Sequence, residues 1–179
     1  MPRRSLLAAA LAVLAASPAG AGQGKAAWRI RNEKGLFRCE LPADWKAGGL
    51  PDGERGVYYY GGDASIRAEL LGLQGSRFRS RADYLNSLPA PTDLQASTGT
   101  VAGRAAELYA WEHREKLGGA ETRSHRQWVH EELLFLPQGE GFWALRFKSR
   151  SLLRGSKRGL EAWRRFLETF LPTDSPGKP

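Results

Sequence analysis

The side chains that could do chemistry in this chain are three histidines, one cysteine, a run of tyrosines and a basic cluster near the C-terminus. His113, His125 and His130 have Glu112, Glu131 and Glu132 as close neighbours in sequence. A hairpin turning at Gly118-Gly119 with Trp111 opposite His125 places His113 diagonally beside His125 on one face, where the two could share zinc or another transition metal. Histidines on separate strands lack the short paired spacing that makes zinc motifs specific, and strand alternation turns Glu112 away from His113. His130-Glu131-Glu132-Leu133-Leu134 starts as H-E-x-x-H does but carries Leu134 where the second histidine must stand. No metal and no cofactor is therefore assigned. A metal-binding protein, or a metal-dependent enzyme using His113 and His125, is the alternative reading.

Arg154, Ser156, Lys157 and Arg158 fall at the start of the last helical stretch. Cations in a first turn oppose the helix dipole by about 0.3–1 kcal/mol each, unless an anion sits there. These four residues are the candidate site for an acidic group from a lipid, a glycan or a partner protein. Residues 146–165 hold eight bases, with Glu161 the single acid. The competing reading is a solvated basic face on a helix that starts one turn later.

Tyr58 and Tyr60 share one face of a strand and Tyr59 points to the other, so at least one hydroxyl must reach solvent or a partner. An aromatic ligand platform is one use for them, and a mixture of core and surface packing is the other. Cys39 alternates with Phe37 and Leu41, the pattern of a buried, unreactive thiol; as the sole cysteine it can form no intramolecular disulfide. Gly139-Glu140-Gly141-Phe142-Trp143-Ala144 matches the dinucleotide fingerprint in letters only, because it joins two strands and opens no helix. A G-x-S-x-G elbow and a Walker A loop are both missing from the sequence, so neither nucleophilic hydrolysis nor nucleotide binding has support.

The positioning elements follow from periodicity. Met1-Pro2-Arg3-Arg4, the 11 apolar residues from Leu6 to Ala16, and the A-x-A pattern ending at Ala21 predict a signal peptide over residues 1–21. The apolar run is too short to span a bilayer of roughly 30 Å. No cysteine follows it, which argues against a lipid anchor. Cleavage removes Arg3 and Arg4 and lowers the formal charge from +8 to +6, still basic enough to favour anionic partners. For an exported chain, nucleic acid is the least suitable of these.

Strands are expected at Trp28 to Arg31, Leu36 to Leu41, Val57 to Tyr60 and Ala64 to Leu73, the last two joined as a hairpin by Gly61-Gly62-Asp63. Ser80-Arg81-Ala82-Asp83 has capping-box spacing and starts a short helix that ends at Pro89. Strands at Thr98 to Val101, Ala105 to Arg114, Thr122 to Leu136 and Phe142 to Ser149 follow one another through short turns, so they form an antiparallel meander. From about Ser156 to Leu171 a helix turns Leu160, Trp163, Leu167, Phe170 and Leu171 towards the core, with Phe166 at the edge of the arc. Residues 22–171 form one domain, and 172–179, with three prolines, form a disordered tail.

The string from Leu36 to Trp45, the short helix from Ser80 to Leu88, the Thr100 to Arg104 turn, and the final strand with Phe166-Leu167-Glu168-Thr169-Phe170 together resemble the PsbP-like superfamily. The resemblance implies an α+β fold: a central antiparallel sheet flanked by helices, an α/β/α sandwich. It also implies an accessory or binding role without catalysis, and it transfers no functional residue, because its motifs mark the fold. The expected protein is periplasmic or secreted, non-enzymatic, and works through its surface on an envelope protein or an anionic surface. A structural subunit of an envelope complex is a third reading.

Overall fold

The computed structural model describes residues 27–51, 53–89, 94–116, 126–151 and 157–173. The expected signal peptide over residues 1–21, His125, Arg154, Ser156 and residues 174–179 of the expected tail lie outside the described residues.

A seven-stranded antiparallel sheet dominates, in the order β3 (Lys46–Gly48), β4 (Arg55–Gly61), β5 (Ala64–Leu71), β9 (Gly141–Ser151), β8 (Arg126–Gln138), β7 (Arg104–Lys116) and β6 (Gln95–Val101). Helix α1 (Arg81–Ser87) makes the crossover from β5 to β6. A smaller sheet sets β2 (Phe37–Pro42) between β1 (Trp28–Glu33) and β10 (Leu171–Pro172). Helix α2 (Lys157–Thr169) packs against β2 and against β5 and β9.

Turn chemistry sets the registers. Gly61 pairs with Ala64 across Gly62-Asp63, and Val101 pairs with Arg104 across Ala102-Gly103. Both residues of the second turn have positive φ, +50° and +74°, the primed geometry whose twist matches a two-residue hairpin. Ser80 caps α1 as its spacing predicted: its hydroxyl accepts from the Asp83 amide, and the Asp83 carboxylate accepts from the Ser80 amide.

Alternation along the strands sorts side chains onto two faces. Tyr59, Ile66, Trp143, Leu145, Phe147, Leu134 and Leu136 point towards α2, and all are fully or nearly fully buried. Phe37, Cys39 and Leu41 of β2 close the same core, each at 0 % exposure, and burial pushes the Cys39 thiol up to about 12. Trp45 folds under the sheet edge, its indole lying where a side chain at position 61 would stand, so that site needs glycine. Trp163 stacks on Phe147 with centroids 5.6 Å apart, and Phe37 meets Trp143 edge-on at 5.3 Å. Trp163, Phe166 and Phe170 are buried, each contributing roughly 1.5–3 kcal/mol.

Two expectations are corrected. The α/β/α sandwich flanked by helices is not found: the chain is mostly β, with ten strands and only helices of 7 and 13 residues among the described residues. Strands β7 and β8 run to 13 residues each, and part of the layer over the α2 side is itself a sheet. On the opposite side α1 covers one corner, where Tyr84 and Phe78 shield Leu71, Phe135 and Phe142. The helical stripe is also shifted: Phe166 lies at its centre, whereas Leu171 is 59 % exposed. The helix stops at Thr169, so Leu171 belongs to β10 and no longer follows the helical wheel. Gly159 lets α2 approach β5, since a Cβ there would come within 2.7 Å of the Ala64 Cβ.

Candidate functional site

Strands β6 and β7 extend past the flank of α2, leaving a groove on the helix side of the sheet. A hollow of about 320 Å³ is lined by Leu108, Ala110, Leu134 and Trp163, with Gln95 and Ser97 on its outer rim and Glu132 at its polar end. A second hollow of about 440 Å³ continues it past Gln95 and Ala110 to Glu112 and His130. The register explains this grouping. Glu132 pairs with Ala110, which pairs with Gln95, while His130 pairs with Glu112. An apolar floor with a few convergent polar groups is the usual make-up of a ligand site.

The polar end is tightly arranged. The Trp163 indole N–H donates to Glu132 Oε2 at 2.6 Å, and His130 Nε2 lies 3.0 Å from Glu132 Oε1. The other ring nitrogen, Nδ1, lies 3.7 Å from Glu112 Oε1. The hydrogen bond to Glu132 raises the His130 pKa, with the Glu112 charge acting in the same direction. Burial works to raise the pKa of Glu132, but the bonds from His130 and Trp163 outweigh it, and the net shift is downward. His130 thus stands between the carboxylates of Glu112 and Glu132. A carboxylate has about four lone-pair directions, so Glu132 can still accept from a ligand.

The opposite face carries a ladder of ion pairs. Arg67 bridges Glu54 at 2.6 Å and Glu69 at 2.8 Å, and the Tyr84 hydroxyl donates to Glu69 at 3.1 Å. Arg146 donates from Nε to the buried Glu131 at 2.6 Å. His113, Glu115 and Glu131 each bring a ligand atom within 4.8 Å of the others, the spacing of a metal cluster. Lys148, however, holds Glu115 in a short ion pair and lies 3.9 Å from Glu131. Burial opposes ionisation of Glu115, yet the hydrogen bond and charge of Lys148 prevail and bring its pKa down to about 2. An ammonium thus occupies the charge-neutralising position that a divalent ion would need.

No family model matches the chain, and no curated protein matches it. Among solved structures, the chain is similar to LpqN of Mycobacterium tuberculosis, described as involved in cell envelope biogenesis. Identity is 16 %, covering 84 % of this chain and 87 % of that one, with a TM-score of 0.44. The site's chemistry rests on its own geometry.

The expected pairing of Trp111 with His125 is not the one formed: Trp111 pairs with Glu131, and His113 with Val129. His113 and His130 point to opposite faces, and His125 lies outside the described residues. Of the basic cluster, Lys157 and Arg158 begin α2 and are exposed; Arg158 pairs with Asp44 at 2.7 Å. The groove itself was not expected. The i, i+2 spacing of His130 and Glu132 signals a shared face, but nothing local announces that Trp163, thirty-one residues on, completes it.

Proposed function

We propose that this is an exported, non-enzymatic binding protein that works through its surface, and that the groove beside α2 holds its ligand. The observation that carries this reading is the apolar floor of Leu108, Ala110 and Trp163 ending at the Glu132 carboxylate. The ligand it fits has a slender apolar body and a cationic, hydrogen-bond-donating head. Export to the periplasm or beyond is supported by the charged, apolar and A-x-A order of residues 1–21. No helix among the described residues is long and apolar enough to cross a membrane. The non-enzymatic part is supported by His130: both of its ring nitrogens face carboxylates of the protein itself, which leaves neither turned to a ligand as a general base.

Octylamine and octanoate are the probes, with tryptophan emission and calorimetry as readouts. Octylamine should bind saturably and octanoate at least about tenfold more weakly, the discrimination expected of one charge-assisted hydrogen bond. Ala110→Phe, which fills the hollow, should abolish binding without unfolding the protein. Equal affinity for both probes, or amine binding that survives Ala110→Phe, would overturn the assignment.

A further inference from the structure

On the face away from α2, Tyr58 and Tyr60 stand side by side, ring centroids 5.8 Å apart and planes 24° from parallel. They are 37 % and 42 % exposed, among the most exposed large apolar side chains of the described residues. Glycines keep the rings open. A Cβ at Gly48 of β3 would lie 3.9 Å from each ring, so a larger residue there would cover them; a Cβ at Gly62, two positions past Tyr60, would meet nothing within 4 Å. The rings form one wall of a hollow of about 490 Å³, within the usual size of a small-molecule site, roughly 300–1,000 Å³. Across the ladder Tyr60 pairs with Ser65 and Ser65 with Lys148, so a small residue makes the floor and the far wall stands two strand spacings away, roughly 10 Å. Arg150, Gln127 and the turn at Asp63 complete the lining.

The charges around this hollow are balanced. Lys148 and Arg150 both contact Glu115, Lys148 also lies 3.9 Å from Glu131, and Arg146 holds Glu131. Asp63 adds a third carboxylate: the Arg150 amide donates to the Asp63 carbonyl at 2.8 Å, which sets the two residues side by side. Three cations thus meet three acids, and no surplus remains to select an ion. Lys46 pairs with Tyr60 from the outer side of the aromatic wall and does not line the hollow. What the lining offers instead is hydrogen bonding of both kinds. Among the described residues Asp63, Ser65 and Gln127 make no side-chain hydrogen bond, and Arg150 uses only Nε, towards Glu115. Asp63 accepts, Arg150 donates, and Ser65 and Gln127 do either. A hydroxyl group is donor and acceptor at once, so it matches the whole lining, where a carboxylate or an ammonium matches half. Open aromatic faces favour the C–H-rich side of a flat ring.

We propose that this hollow binds an uncharged sugar, one pyranose ring lying against Tyr60 and its hydroxyl groups shared among Asp63, Arg150 and Gln127. The site is separate from the groove beside α2, from which the sheet divides it, and it stands whether or not that groove binds amines. Cellobiose, glycerol and digalacturonate test it by titration of the full chain, followed through backbone amide NMR shifts. Cellobiose should shift Tyr60, Asp63, Ser65 and Lys148 saturably. Glycerol has hydroxyl groups but no ring face and should bind at least about tenfold more weakly, while digalacturonate should bind no more tightly than cellobiose. Tyr60→Ala should weaken cellobiose binding at least about tenfold, and Tyr60→Phe should leave it within about twofold. Asp63→Ala should weaken it about fivefold, the effect of one hydrogen bond. Ala110→Phe in the groove should change none of these. No saturable shift at those amides, equal affinity for cellobiose and glycerol, tighter binding of digalacturonate, or binding indifferent to Tyr60→Ala overturns the proposal.

Discussion

The two faces of the large sheet are made from the same strands, yet they are held by different forces. Towards α2, rings interlock: Phe147 under Trp163, Phe37 against Trp143, Phe166 against Phe170. Away from it, beyond the corner covered by α1, charges interlock: Arg67 with Glu54 and Glu69, Arg146 with Glu131, Lys148 with Glu115. Non-directional burial dominates stability, whereas ion pairs near water contribute little net free energy and are sensitive to their partners. The helix side should therefore tolerate little change, and the charged side should tolerate much, provided that no buried charge is orphaned.

The sharpest test of that contrast is Trp163→Ala, which removes the stack on Phe147 and the donor to Glu132 together. It should cost about 3–5 kcal/mol in urea unfolding. Trp163→Phe keeps a ring and loses only the N–H, so about 1–3 kcal/mol is expected. Equal losses for the two variants would mean that the hydrogen bond, and not packing, holds the helix down.

Next in size is the Arg146 and Glu131 pair. Glu131 is 2 % exposed, so Arg146→Met strands a buried carboxylate with only the more distant Lys148 and His113 nearby, at about 3 kcal/mol. The double variant Arg146→Met/Glu131→Leu should recover most of that loss, because both charges leave together. Additive losses in the double-variant cycle would break the claim that charge pairing alone orders this face.

The smallest effect is a pH dependence on the helix side. The raised pKa of His130 adds stability that is complete below its ordinary value of 6.5 and lost as pH rises through the folded value. The lowered pKa of Glu132 adds stability that is present above 4.5 and lost as pH falls through its folded value. Stability from the pair should thus be greatest between those limits. His130→Gln should flatten the alkaline limb of the melting temperature against pH, and an unchanged limb would assign it to another group.

Much of the fold was legible because it is local. Gly-containing two-residue turns, the Ser80 capping box and the Phe37, Cys39, Leu41 alternation each predict a piece that the structure contains. Three features were not, each for a physical reason. The β7 to β8 register depends on pairing along the whole hairpin, so reading it from one turn placed Trp111 six residues from its true partner. The share of helix was overestimated because a strand layer can cover a sheet as well as a helix can, and β10 is only two residues long. The groove needed Glu132, Gln95 and Trp163 from three elements distant in sequence, and periodicity carries no information about such meetings.

β2 has a further bearing on how such a molecule is made. One of its edges is taken by the first described strand, and the other by Leu171 and Pro172, so Arg38 waits for a partner 133 positions later. Thr173 then donates to Leu36 from both amide and hydroxyl, tying that end in place. While the polypeptide is still emerging, the small sheet has no way to close, and such distant closures are slow. The order of synthesis thus makes the pairing of Arg38 with Leu171 one of the last steps of assembly, and the small sheet is completed only after the large one can form.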